Sequence, residues 1–286
     1  MSGVHILWFR QDLRVHDHAA LKAACLAATR DGGVVVPLFV FGAGEAPAPF
    51  LVESLKELDA ALEQRGGALH YRQGDPVTVL SELHRQHNLL SLYTHETATA
   101  QPSDAEVEAW CMRAGVAWRT FPQFGPAHVS DETSSAAAWD AFMAAPRHEA
   151  PGDLPAGQIG IGQPPSLPPA SQTAAGGRKA AIETLRAVLG PVSDLSRIGA
   201  AATSEVSYIE QLSSYLALGL ISVRETWQAA VTARNQYLAA GQEIRAARIT
   251  ELIRHLPDVW RARLIPARHK GVVSRSGLGG QLSLDL

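Results

Sequence analysis

Two cysteines in 286 residues, Cys25 and Cys111, are too few for a disulfide framework or a thiolate zinc site, and each is expected to pack as a small buried hydrophobe. No apolar run approaches the roughly 20 residues that span a bilayer. The first residues lack a basic segment leading into a long apolar one, so no signal peptide is read. These absences suit a cytoplasmic protein. No G-x-G-x-x-G follows the first apolar run and no Walker-type loop occurs, which argues against dehydrogenase-type dinucleotide binding and P-loop chemistry. No Ser-His-Asp or Cys-His motif marks a nucleophile. His84 and His87 stand at i, i+3 without a third ligand, so no metal site is expected. Positive charge is scarce along most of the chain. The net charge is −3, yet residues 245–275 hold eight Arg/Lys against Glu251 and Asp258; with Asp285 counted, residues 1–244 carry −8. Attraction to nucleic acid is therefore expected from residues 245–275 alone.

The chain is rich in buried-strand patterns that alternate with helical ones. "VHILWF" (4–9) and "VVVPLFVFG" (34–42) are continuous apolar runs of strand length, as in a parallel strand covered on both faces. "ALHYRQG" (68–74), "LLSLYTHE" (89–96) and "VAWRTFPQ" (116–123) continue the series. Between them lie helical patterns: one opened by Asp17 as N-cap and stopped at Gly32-Gly33, one over 50–67, one opened by Asp75-Pro76, and one over 103–115. Strand and helix take turns five times, which predicts an α/β, Rossmann-like parallel sheet with helices on both faces over residues 1–129. Residues 130–176 are Pro/Gly/Ser/Ala-rich and read as a linker. Helical patterns return over 177–256 as a small all-helical unit, and 257–286 reads as a flexible basic tail.

Between the first strand and the first helix stands a burst of charge, "RQDLRVHDH" (10–18). In an open parallel sheet, ligands sit beyond the carboxyl ends of the strands, where this loop lies. Two readings stay open. Arg10, Asp12 and Arg14 pair with one another to brace the loop and dock the neighbouring unit, or they wall a polar pocket for a nucleotide-like or pterin-like ligand. His95-Glu96, at the end of the fourth strand, lies on the same edge.

"LWFRQDLRVHDHAAL" resembles the first strand and loop of the DNA photolyase/cryptochrome family, F-R-x-D-L-R followed by D-N-x-A-L. Arg10, Asp12, Leu13, Arg14, Asp17, Ala20 and Leu21 match, and His18 stands where Asn is usual. The likeness continues through "VVPLFVFG", "FLVESLKELDAAL", "GGALHYRQGDPVTVLSEL", "LYTHET" and "AWCMRAGVAWRTFPQFG". The resemblance implies an antenna domain whose cleft with a helical domain holds a light-harvesting pigment, with Arg10, Asp12, Arg14 and Glu96 on its wall.

"GGRKAAIETLRAVL" (176–189) resembles the opening of the family's FAD-binding domain, and "QLSSYLALGLISVRETWQAA" (211–230) its signature T-S-x-L-S-P-Y-L-x-x-G-x-I-S. Leu212, Ser213, Tyr215, Leu216, Gly219, Ile221 and Ser222 match, whereas Ile209-Glu210 replace Thr-Ser and Ser214 replaces Pro. A carboxylate beside a diphosphate is repulsive. "TSEVSY" (203–208) itself resembles the hydroxyl-rich start, which makes Thr203, Ser204 and Ser207, or else Ser213, the candidate FAD cradle; a plain helix cap is the alternative. The family's flavin-enclosing helices beyond the signature are not found, so the expectation is a shortened photolyase-like protein. Three functions are carried forward: FAD-driven light repair of pyrimidine dimers in DNA, a non-catalytic pigment- or nucleotide-binding protein, and a vestigial fragment. Weak, sequence-blind DNA binding is expected through residues 245–275. The final Gln281-Leu282-Ser283-Leu284-Asp285-Leu286 resembles peptides that dock on the bacterial sliding clamp.

Overall fold

The computed structural model describes residues 3–42, 48–97, 102–126, 132–156, 175–191 and 207–264. Five strands, β1 (Val4–Phe9), β2 (Val34–Phe41), β3 (His70–Gln73), β4 (Leu89–His95) and β5 (Ala117–Phe121), form one parallel sheet in the order β3-β2-β1-β4-β5. They alternate with α1 (Ala19–Asp31), α2 (Pro49–Glu63), α3 (Pro76–Gln86) and α4 (Pro102–Ala114). This is the α/β, Rossmann-like architecture expected. β1 is central, and the chain leaves it for β2 on one side and returns to β4 on the other. The carboxyl ends of β1 and β4 are therefore the switch point of the sheet.

The period of two in each strand sorts its residues between two cores. From β1 and β2, Leu7, Phe9, Val35, Phe39 and Phe41 face α1 and α2, while Val4, Ile6, Trp8, Val36 and Leu38 face α3 and α4. Every β1 residue is buried, as its unbroken apolar run requires. The helix ends follow local chemistry. Asp75 accepts the Thr78 N–H with Pro76 at the first helical position, and Gly32 closes α1 in the left-handed conformation at φ 65°. The start of α1 differs from expectation. His18 is the N-cap, its Nδ1 accepting the Leu21 N–H at 3.0 Å, while Asp17, one residue earlier, turns the chain at φ 47°.

Within the Pro/Gly-rich stretch 130–176 lies a further helix, α5 (Glu132–Ala144), whose sequence "ETSSAAAWDAFMA" contains neither Pro nor Gly. Trp139 and Met143 bury one side of it. The helical unit adds α6 (Gly177–Leu189), α7 (Ser207–Ala217), α8 (Val223–Ala239) and α9 (Glu243–Leu264), the last continuing through Pro257. Its apolar faces, among them Leu185, Leu212, Leu216, Leu220 and Leu252, extend the core already covered by α1 and α2.

Polar contacts fix how the helical unit sits. The first N–H groups of α6 are taken by α2: Gly176 donates to Glu53 at 2.7 Å, Gly177 to the Ser54 hydroxyl at 3.0 Å and Lys179 to Glu57 at 2.8 Å. The last carbonyls of α5 are taken by α8: Arg224 reaches Phe142, and Gln228 reaches Met143 and Ala145. The turn between α7 and α8 lies on the β1–α1 loop, with the Leu13 N–H donating to the Leu218 carbonyl at 3.0 Å. Gly219 makes that approach possible. Its φ is +63°, and a Cβ there would stand 2.1 Å from the Gln11 carbonyl oxygen and 2.7 Å from the Asp12 Cα. Gly219→Ala is expected to cost about 3 kcal/mol in urea unfolding, from backbone overlap and left-handed strain together. Unchanged stability would remove this contact from the account.

Candidate functional site

The switch point is filled by the loop itself. Asp12 is 1% exposed, and its carboxylate accepts two hydrogen bonds and lies in ion-pair range of a third nitrogen. The Arg10 backbone N–H reaches Oδ1 at 2.7 Å, while His95 Nδ1 and His18 Nε2 lie 2.9 and 3.1 Å from Oδ2. Burial would raise the Asp12 carboxyl, but the two imidazole N–H bonds outweigh it and hold the group well below the usual carboxylate range. Burial pushes the His95 imidazole down to about 3, with the neighbouring His18 adding to the effect, and it lowers His18 likewise. At neutral pH the cluster is one carboxylate with two neutral histidines.

Arg14, fully buried, spends its guanidinium on protein oxygens: Gln123 Oε1 at 3.0 Å, the Gly219 carbonyl at 2.8 Å and the Asp17 carbonyl at 3.1 Å. Gln123 in turn donates to the Gln11 carbonyl. Asp17 faces the helical unit. Its carboxylate accepts the Ser222 hydroxyl at 2.6 Å, Arg224 at 2.9 Å and the His148 N–H at 3.1 Å, and these bonds lower its pKa against the pull of burial. Arg10 lies over the Trp8 ring and binds Asp104 on α4 at 2.6 Å and the His95 carbonyl at 2.6 Å. The side chains of Arg10, Asp12 and Arg14 thus engage histidines, strand and helix residues and the second unit rather than one another.

Asp12, His18 and His95 place three potential metal-ligand atoms within 4.8 Å. The tautomer argues against coordination. His18 Nδ1 accepts the Leu21 N–H and so carries no proton, which puts the proton of the neutral ring on Nε2, the atom facing Asp12. A protonated nitrogen offers no lone pair. The trio is a hydrogen-bonded anion site built for the protein's own carboxylate.

The other candidates are scattered. Glu96 is half-buried just past β4, its N–H donating to the Phe121 carbonyl. Ser213 is exposed on α7. Ser207 is the first residue of that helix, and Thr203 and Ser204 lie outside the described residues, as do 265–275 and Gln281–Leu286. Of the cations on α9, Arg248 caps the carboxyl end of α6 at the Val188 and Gly190 carbonyls, Arg254 pairs with Glu251, and Arg245 packs over Tyr237. Sequence reasoning placed His95 at the ligand edge but missed Gln123, Ser222 and Arg224 as partners of the loop. The one local signal was His18 in place of Asn. A cavity of about 440 Å³ lies farther out, lined by His16, Gln64, Arg65 and Glu149–Gly152.

Asp12→Asn is expected to destabilise by about 3 kcal/mol, because the amide NH2, whichever way it turns, meets an N–H donor. Equimolar zinc is expected to leave Tm unmoved. A neutral substitution, or a zinc-induced rise in Tm, would overturn this description of the cluster.

Comparison with known proteins bears on both units. The family model for DNA photolyase matches residues 5–141. A cryptochrome DASH of Xenopus laevis is 33% identical over 137 residues, 42% of this chain and 25% of that protein. A deoxyribodipyrimidine photo-lyase of Streptomyces griseus is 44% identical over 84 residues, 27% of this chain and 18% of that protein. Among solved structures, the cryptochrome of Synechocystis sp. PCC6803 superposes with a TM-score of 0.68 at 20% identity, covering 91% of this chain and 60% of that one. An archaeal photolyase from Sulfolobus tokodaii, solved with two FAD molecules, gives 0.56 at 18% identity, covering 91% and 60%. At these identities the structural likeness shows the fold, and it runs through the helical unit. The chain matches a quarter or less of the length of these two curated relatives and covers three-fifths of these two solved chains.

Proposed function

Because this chain belongs to the DNA photolyase and cryptochrome family, we propose that it acts as a photolyase/cryptochrome-like flavoprotein of the cytoplasm. In this reading an antenna-type α/β unit over 1–129 and a connecting stretch over 130–176 precede an FAD-binding-type helical unit over 177–256 and a basic tail over 257–286. The observation that carries it is which helix start is left for a diphosphate. A helix N-terminus offers free N–H groups and a partial positive charge to such an anion. The starts of α6 and α8 do not fit one: Glu53, Ser54 and Glu57 occupy the first, and the Ser222 side chain, backed by Asp17, caps the second. Three carboxylates stand where the phosphates would go. The diphosphate is assigned instead to the start of α7, whose first residue is Ser207 and which Thr203 and Ser204 precede in sequence; the assignment requires the Glu210 carboxylate to point away from the phosphates.

Bound FAD would supply light-driven one-electron transfer. The protein's own part is to hold the diphosphate at Thr203, Ser204 and Ser207, with Ser213 farther along the same helix. Arg10 and Glu96 frame the cleft from the sheet side, and Asp12 and Arg14 keep its loop in place. Replacing Thr203, Ser204 and Ser207 together by Ala should lower the flavin retained per chain after reconstitution at least tenfold, with far-UV circular dichroism unchanged. Equal flavin content in variant and parent would refute the cradle. A chain that takes up no flavin at all would support the second reading, a non-catalytic protein, which the internal hydrogen bonds of Asp12 and Arg14 favour.

DNA is the proposed macromolecular partner, met by the basic segment 245–275. Each phosphate contact contributes a slope of about −0.9 to log K against log salt. Affinity for duplex DNA should therefore fall at least tenfold between about 50 and 200 mM salt. Changing Arg261, Arg263, Arg268 and Lys270 to Gln should flatten that slope. Binding that ignores salt, or keeps its slope in the variant, would argue for another surface.

A further inference from the structure

The β1–α1 loop carries two burdens at once: a buried histidine pair and the seam between the units. His18 Nδ1 accepts the Leu21 N–H, which leaves the ring's proton on Nε2, 3.1 Å from the Asp12 carboxylate. A second proton could enter only at Nδ1, turning the acceptor into a donor that faces the Leu21 N–H and breaking the cap of α1. The His95 ring stands 4.3 Å away, centroid to centroid, on the same carboxylate oxygen, so both rings cannot become cations together. Within five residues the same loop makes the seam: Leu13 N–H to Leu218, Arg14 to Gly219, and Asp17 to Ser222 and Arg224.

We propose that the β1–α1 loop is an acid-sensitive latch, in which proton uptake at His18 breaks the loop's own cap and releases the helical unit from the sheet. The charges around the pair do not rescue the closed form. On the loop itself Arg10 and Arg14 are cations, and Asp12 and Asp17 are already committed to hydrogen bonds. Asp104 on α4 is held by Arg10, and the nearest groups of the helical unit are Arg224, paired with Asp17, and Glu225, paired with Arg178. His148, beside Asp17, is itself lowered by burial. From β5, Phe121 offers only a ring edge to His95.

The sign follows from which form binds the proton. The closed form keeps His18 and His95 neutral, whereas the released loop lets them titrate near the ordinary value of 6.5. Latch stability is therefore complete above about pH 6.5 and is lost as the pH falls below it. At pH 5 each histidine that cannot take its proton in the closed form favours opening by about thirtyfold.

Hydrogen exchange of the full chain, read by mass spectrometry at pH 7.5 and 5.0 and corrected for intrinsic rates, tests this. Protection over residues 13–17 and 218–226 should fall about thirtyfold or more, while β1 and β2 keep theirs. His18→Asn retains a capping side chain but has no titrating ring. It should remove the His18 share of the pH dependence, about thirtyfold at pH 5, and leave only the share carried by His95 and His148. Ser222→Ala, which weakens the seam without touching the histidines, should move the opening midpoint to higher pH. Equal seam protection at both pH values, loss of β1 and β2 at the same pH, an unaltered profile in His18→Asn, or an unmoved midpoint in Ser222→Ala would each overturn the latch. None of these readouts depends on flavin.

Discussion

A carboxylate held 1% exposed must be given donors, and the way Asp12 obtains them organises the top of the sheet. One donor comes from its own loop, one from the cap of α1 and one from the end of β4, so a single anion ties the two central strands to the first helix. The loop held by that anion then presents Leu13 N–H, Arg14 and Asp17 to the second unit. Arg14 carries the compensating charge, and Gly219 provides the close backbone approach that lets its carbonyl accept from Arg14. Removing the anion would leave three buried donors facing one another.

The same logic recurs wherever the units meet. Two helix ends at the seam are satisfied by side chains of another helix, α6 by the carboxylates and hydroxyl of α2 and α5 by the side chains of α8, while α8 is capped locally by Ser222, itself locked onto Asp17. Buried helix termini cannot leave their N–H and C=O groups unpaired. Satisfying them across an interface makes that interface specific, because a shifted docking would orphan several groups at once. It also spends two of the places where a helical unit could receive phosphate. The docking of the domains and the location of a nucleotide cradle are therefore one question.

The family likeness and this geometry fit together without being interchangeable. The family match covers the sheet and its helices, and the structural likeness extends to the helical unit at identities that show fold alone. The proposal of a flavin at α7 stands on the hydroxyls around its start and on the occupancy of the neighbouring helix starts.

The α/β unit was legible in the sequence because its signals are local. β1 and β2 are unbroken apolar runs, Asp75-Pro76 opens α3, and Gly32 closes α1 through backbone preferences that need no distant partner. The residues F-R-x-D-L-R were also placed at the carboxyl edge of the sheet, since the position of a loop after a parallel strand follows from the alternation of elements. What they touch was decided only by tertiary structure. Nothing within five residues of Asp12 announces His95, and nothing near Arg14 or Asp17 announces Gln123, Gly219, Ser222 or Arg224, which lie about a hundred to two hundred positions away. Charged side chains choose partners by burial and distance in space. A sequence determines which charges must be satisfied, and only the packed chain decides by whom.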